Sequence, residues 1–209
     1  MNLVASPVKT PPTYRQEQAA ATRARIAAAA RRLFAESGYQ MTSVAAIAAA
    51  AGVAERTVYA AFGAKREILS AICDTWLEDA HAFELVEQAV AATDPTRTLE
   101  LAAHFLRSLF ETGFDVMVLF EAASAEDPKT RAMLRAKLEG RNQVQNMIIE
   151  SIGDRLVLPV PAAQAIYRAL AAVGVYTELV VESGWSIDDY EQWLLRQLRS
   201  QLLGSESGS

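Results

Sequence analysis

Cysteine, histidine, glycine and proline are all scarce in this 209-residue chain. The one cysteine, Cys73, has no partner within the chain, so no internal disulfide can brace the fold. A lone thiol fits a reducing cytoplasm, the compartment expected, and reads as a small buried hydrophobe. The only histidines are His81 and His104. Glu78-x-x-His81 puts a carboxylate and an imidazole on one helix face, but a di-iron carboxylate bundle needs two such pairs and two further glutamates. The other candidate, Glu100-x-x-x-His104, has a different spacing. There is no nucleophile-elbow pattern and no glycine-rich phosphate loop, so no catalytic residue, metal ligand or cofactor is expected. No apolar run reaches the ~18 residues that cross a bilayer, which argues against a membrane partner. The opening MNLVASPVKTPPTY has no charged segment followed by an apolar core, so no secretory signal is expected.

What the chain has is alanine and other helix formers. Hydrophobic residues make up 51% of it, and glycine and proline are few after residue 13. That composition predicts an all-α protein with a sizeable core. The formal net charge is −5, but it is unevenly spread. Residues 1–66 hold nine Lys and Arg against three Glu, a net of +6. The rest holds eleven Lys and Arg against twenty-two Asp and Glu, a net of −11. A basic head on an acidic body orients the molecule toward a polyanion.

The basic head carries the most informative stretch, TSVAAIAAAAGVAERTVYAAFGAK over residues 42–65. Thr42 and Ser43 are N-cap residues ahead of Val44, Ile47 and Ala48, which share one helical face. Gly52 suits the left-handed residue that ends a helix. Val53 is expected to be buried in the turn. A second helix then starts near Ala54, with Val58 and Phe62 inward and Arg56, Thr57, Tyr59 and Ala60 toward solvent. Helix, glycine turn, helix is the arrangement that places a helix in the major groove of DNA. Upstream, an amphipathic helix buries Ile26, Ala29, Ala30, Leu33 and Phe34 and ends at Gly38. Downstream, another opens at Lys65.

Residues 21–72 resemble the DNA-binding domain of the TetR (tetracycline repressor) family. The resemblance is carried by Ile26, Ala30, Leu33, Phe34, Gly38, Thr42, Ile47, Ala48, Ala51, Gly52, Val53, Thr57, Tyr59, Phe62, Lys65 and Leu69. It covers about a quarter of the chain. Two positions depart from the usual pattern: Ala54 stands where many relatives place a capping Ser, and Ala61 where many have His or Tyr. The resemblance implies an N-terminal three-helix helix-turn-helix domain and a C-terminal helical ligand-binding and dimerisation domain. It also implies a homodimeric, ligand-responsive transcriptional regulator, most simply a repressor. The partners would be a palindromic double-stranded DNA operator and a small-molecule effector. The alternative is a helical enzyme or metal-binding protein with a vestigial helix-turn-helix.

The expected organisation is a flexible arm over residues 1–15, the DNA-binding domain over 16–64, the ligand-binding and dimerisation domain over 65–203, and a disordered tail over 204–209. One helix is expected over 65–91. A pair follows, broken at Gly113 and ending near residue 125, then helices over 128–152, 162–182 and 187–203. Arg56 is the candidate for base-edge contact, since a guanidinium meets the acceptors of guanine bidentately. Thr57, Tyr59 and Lys65 are candidates for phosphate contact, and Thr42 or Ser43 for a backbone contact at a helix N-terminus. The last two helices are unusually apolar for terminal elements. Val173, Tyr176, Leu179, Trp193 and Leu194 are the residues expected in a four-helix dimer interface. A surplus of adaptable apolar side chains predicts a small apolar or aromatic effector in a pocket lined by Trp76, Phe83, Phe105, Phe114, Met117, Phe120, Met147 and Tyr176. His104 and Glu121, each in an otherwise apolar segment, are the polar groups expected to orient it.

Overall fold

The computed structural model describes residues 13–123 and 128–203. Most of the expected arm, the expected helix end near residue 125, and the expected tail lie outside those residues. Every regular element among the described residues is helical. Helix α1, Tyr14–Ser37, begins in a capping box in which Thr13 and Gln16 satisfy each other's backbone N–H groups. Helix α2 is Val44–Ala51 and α3 is Glu55–Phe62. Gly52 adopts φ 66°, and the Val53 and Gly52 N–H groups bond back to Ala48 and Ala49. This Schellman turn sets the angle between α2 and α3. Val53, expected to be buried there, is only half-buried. Ile26, Ala30, Phe34, Ile47, Ala48, Val58, Phe62, Ile68 and Leu69 close the core of the head.

The single helix expected over 65–91 is instead two, α4 (Lys65–Asp79) and α5 (Ala82–Ala91). His81 takes a left-handed backbone conformation, φ 50°, at the break. The Ser108 hydroxyl donates to the Ala80 carbonyl at 2.8 Å, which supplies the partner that a continuing helix would have given. No glycine or proline marks the site, so the break was invisible to a local reading. Helix α6, Pro95–Ala123, runs through the body and kinks at Gly113. Helix α7 is Pro128–Glu150.

The helix expected over 162–182 is also interrupted. Helix α8 is Val160–Leu170, Ala172 is extended, α9 is the single turn Val173–Tyr176, and a π-helix covers Thr177–Glu182. Helix α10, Ile187–Leu202, is capped by Ser186 and packs chiefly on α6. The body core is α6 (Leu99, Ala102, Leu106, Leu109, Phe110) against Ile148 and Ile149, Tyr167, and Tyr190, Leu194, Leu198 and Leu202. The Tyr167 hydroxyl reaches the Ala102 carbonyl at 2.9 Å. Among the described residues, no single helix is long and apolar enough to cross a membrane.

Candidate nucleic-acid interface and helical body

Two short helices held at a fixed angle leave the outer face of α3 open. Arg56 and Ala60 are exposed, Tyr59 is 53% exposed and Thr57 is half-buried. The opposite face, Val58 and Phe62, is anchored in the core. Arg23 of α1 holds the C-terminal end of α3: its guanidinium donates to the Ala61 carbonyl and lies over the Phe62 ring, 4.1 Å from the centroid. Ser43 is exposed, and its hydroxyl accepts from the Ala46 N–H at 3.1 Å, so the N-terminus of α2 points outward.

Two of the expected DNA-contacting side chains have work inside the head. Thr42 is 3% exposed, and its hydroxyl donates to Gly38 and Leu33 carbonyls at 2.8 and 3.2 Å. That places its side chain in the turn rather than on the surface. The Lys65 ammonium donates to the carbonyls of Tyr39 (2.7 Å), Thr42 (3.2 Å) and Gln40 (3.3 Å) and sits over the Tyr39 ring. It fastens the loop between α1 and α2 to the start of α4. Helix α3 has no side-chain cap at Ala54. Ala54→Ser should therefore raise the unfolding free energy by about 1 kcal/mol, read as a higher Tm in a calorimetric scan; an unchanged Tm would show that the N-terminus of α3 is already satisfied.

In the body, the residues expected around one apolar pocket are dispersed. Phe83 is 62% exposed and Met147 51% exposed, so both lie on the surface, not in an interior site. Glu121 is exposed as well. His104 is exposed on α6, with its Nδ1 2.9 Å from Glu191 of α10. Trp76, Phe105, Met117 and Tyr176 are buried, and Phe114 and Phe120 half-buried. The buried aromatics pack on one another. Phe110 stacks on Tyr176 at 4.2 Å, Phe114 lies 5.2 Å from Tyr176, and Tyr190 meets both Phe110 and Tyr176 edge-on. Such pairs favour solid filling of this region over an empty chamber.

Two open grooves mark the surface of the described residues. One, of about 500 Å³, runs between α6 and α10 and is lined by Arg97, Glu100, His104, Arg107, Asp188 and Glu191 among others. Arg107 there donates to Glu191 at 2.7 Å and pairs with Asp188, which pushes its pKa up. The other, of about 270 Å³, lies on the head between α1 and α2, with Arg25 and Arg32 beside an alanine floor. Sequence reasoning missed two of the polar atoms that lie inside the body without a hydrogen-bond partner, the Tyr190 hydroxyl and the Gln145 Oε1. Their signal was a polar group at a core phase of α10 and α7. Burial also raises the Tyr190 hydroxyl's pKa and pushes the Cys73 thiol up to about 11, which keeps the thiol protonated and unreactive.

Among the described residues no three of His, Cys, Asp and Glu converge as a ligand set. Of the expected dimer residues, Tyr176 and Leu194 are buried within the chain, and only Val173, Leu179 and Trp193 keep partial exposure. Val181 beside them is 52% exposed.

Residues 26–72 match the family model described as bacterial regulatory proteins, tetR family. No curated protein sequence matches the chain. Among solved structures, the fold is similar to that of NalD, the secondary repressor of the MexAB-OprM multidrug efflux pump in Pseudomonas aeruginosa. The TM-score is 0.73 at 22% identity, over 90% of this chain and 98% of that one. It is similar too to the transcriptional regulator FadR from Bacillus subtilis in complex with stearoyl-CoA (TM-score 0.68, 22% identity, 88% and 99% covered). A transcriptional regulator from Aquifex aeolicus shares the fold at a TM-score of 0.65 and 21% identity, over 85% and 98% of the two chains. The family match falls on the head whose helix-turn-helix leaves the outer face of α3 open, so residues 26–72 form a DNA-binding head of the type found in the tetR family of bacterial regulatory proteins.

Proposed function

We propose that the protein is a homodimeric repressor that reads a palindromic operator with α3 and is released by a small effector bound in the helical body. The observation that carries this reading is the open outer face of α3, with Arg56 and Tyr59 outward, within residues 1–66 of net charge +6. A recognition helix of eight residues reaches only a few base pairs, so specificity needs a second copy on the neighbouring half-site. Arg56 reads base edges, Thr57 and Tyr59 hold phosphates, and the outward N-terminus of α2 at Ser43 adds a backbone contact.

The dimer forms through the outer face of α8, α9, the π-helix and α10, where Val173, Leu179 and Trp193 are half-buried and Val181 is exposed. The effector is apolar or aromatic and binds by parting the packed cluster of Phe110, Phe114, Met117 and Tyr176, which opens the unpartnered Tyr190 hydroxyl to it. Support for an acyl or drug-like effector comes from the neighbours: FadR holds stearoyl-CoA and NalD governs a multidrug efflux pump. Release follows from unequal affinity of the effector for two dimer arrangements.

Two measurements test this. Genomic fragments enriched by the purified protein should share an inverted repeat. A compound that raises Tm should weaken binding to that repeat in the same titration. Enrichment of fragments with no common repeat would sink the operator reading. A stabilising compound that leaves operator affinity untouched would sink the effector reading.

A further inference from the structure

The kink in α6 is where the head, the linker helix α4 and the aromatic cluster of the body meet. Here Gly113 leaves helical geometry (φ −158°, ψ 37°), and the Trp76 indole of α4 donates to the Leu109 carbonyl at 3.0 Å. The indole passes so close that a Cβ on residue 113 would stand 2.2 Å from its Nε1 and Cδ1. Only glycine permits that approach.

Arg31 of α1 closes over the same point. Its Nη2 donates to the Thr112 carbonyl at 2.9 Å, just before the kink. Its Nε and Nη2 fork onto the Asp115 carboxylate at 2.7 and 2.5 Å, just after it. One guanidinium thus holds both arms of the bend and belongs to the DNA-binding head. On the far side, Phe110 and Phe114 flank the kink and pack on Tyr176.

We propose that Gly113 is the joint through which the helical body sets the pitch of the DNA-binding head, with Arg31, Asp115 and Trp76 as positioning residues for operator binding. The joint has two arrangements of the backbone at Gly113. Kinked, the indole sits against Gly113 on the Leu109 carbonyl and Arg31 spans the bend. Straightened, Gly113 takes helical dihedrals, the indole loses its seat, and residues 114–123 swing relative to 95–112. One guanidinium then no longer reaches both Thr112 and Asp115, so α1 is released. Anything that repacks Phe110 or Phe114 biases the choice. The inference deepens the proposed regulator and rests on it only where operator binding is the readout.

The test uses Arg31→Ala, Asp115→Ala, the swap Arg31→Asp with Asp115→Arg, and Trp76→Phe, which keeps a ring but no N–H. Each of the single variants should weaken operator binding about tenfold. The slope of log affinity against log salt should stay that of the parent, because a positioning residue neutralises no phosphate. The Arg31→Ala, Asp115→Ala double variant should be no worse than either single one, and the swap should recover most of the loss. Hydrogen exchange reads the joint without DNA: Asp115→Ala, a change in the body, should speed exchange in α1 around Arg31 and through α2 and α3. Parental exchange there overturns the proposal whether or not an operator is found. So does parental operator affinity in Arg31→Ala and Asp115→Ala, and so does a salt slope lowered by about one in Arg31→Ala, which would make Arg31 a phosphate contact.

Discussion

Val181→Asp is expected to convert the protein from dimer to monomer and to abolish specific operator binding. Val181 is 52% exposed in the single chain, on the π-helix beside the half-buried Leu179 and Val180. An Asp there stays solvated in the monomer, so the fold should tolerate it and Tm of the isolated chain should hardly move. In the proposed dimer the same carboxylate is buried twice without a partner. An uncompensated buried charge costs on the order of 3–5 kcal/mol, enough to raise the dimer Kd more than about 100-fold. Sedimentation velocity at micromolar concentration should show the parent as a dimer and the variant as a folded monomer with unchanged helical circular dichroism. Because one α3 reads only half of a palindrome, the monomer should keep no more than weak, non-specific DNA binding. A variant that still sediments as a dimer moves the interface off this face.

Arg56→Ala is expected to weaken operator binding by roughly 1–3 kcal/mol and to relax the preference at one base position in each half-site. The magnitude follows from a bidentate guanidinium on a guanine edge, which no other residue on the open face of α3 can replace. Arg56 is exposed, so its loss should leave Tm where it was. Lys65→Ala makes the contrast. Its ammonium ties three carbonyls of the loop between α1 and α2, so the variant should lose about 1–2 kcal/mol of stability. Competition binding against single-base operator variants separates the two. A uniform loss across all sequences in Arg56→Ala would make it a phosphate contact, and no loss at all would take it out of the interface.

The parts of this molecule that were legible in its sequence are those governed by local chemistry. Gly52 needed a left-handed residue, and Val44, Ile47 and Ala48 needed one buried face. Both demands act over a few residues, so the helix-turn-helix could be read directly. The charge asymmetry between head and body was equally plain. The break at Ala80–His81 was not, because its partner is tertiary: Ser108 supplies the hydrogen bond at Ala80 from another helix. Gly113 was read as a break, and the structure has one there: its dihedrals are non-helical, at a kink held from α1 and α4.

The site residues divide the same way. Arg56 and Tyr59 were placed on the open face by periodicity alone. Thr42 and Lys65 match the same motif, yet their polar atoms turn inward to carbonyls that only the folded head brings near. For the body, apolar residues in a list could not be sorted into core, surface and pocket. Phe83 and Met147 face solvent, whereas Phe110 and Tyr176 pack face to face, and nothing local separates those fates.

Salt-dependent binding of the full chain to the inverted repeat it enriches tests the central claim most directly. Fluorescence anisotropy across roughly 50–200 mM salt should give one dimer per repeat, a linear fall of log affinity with log salt, and a drop of about 10³-fold or more if six or more phosphates are held. A scrambled repeat should bind at least about 10³-fold more weakly at the same salt. Equal affinity for the intact and scrambled repeats, or binding that ignores salt, would contradict the account.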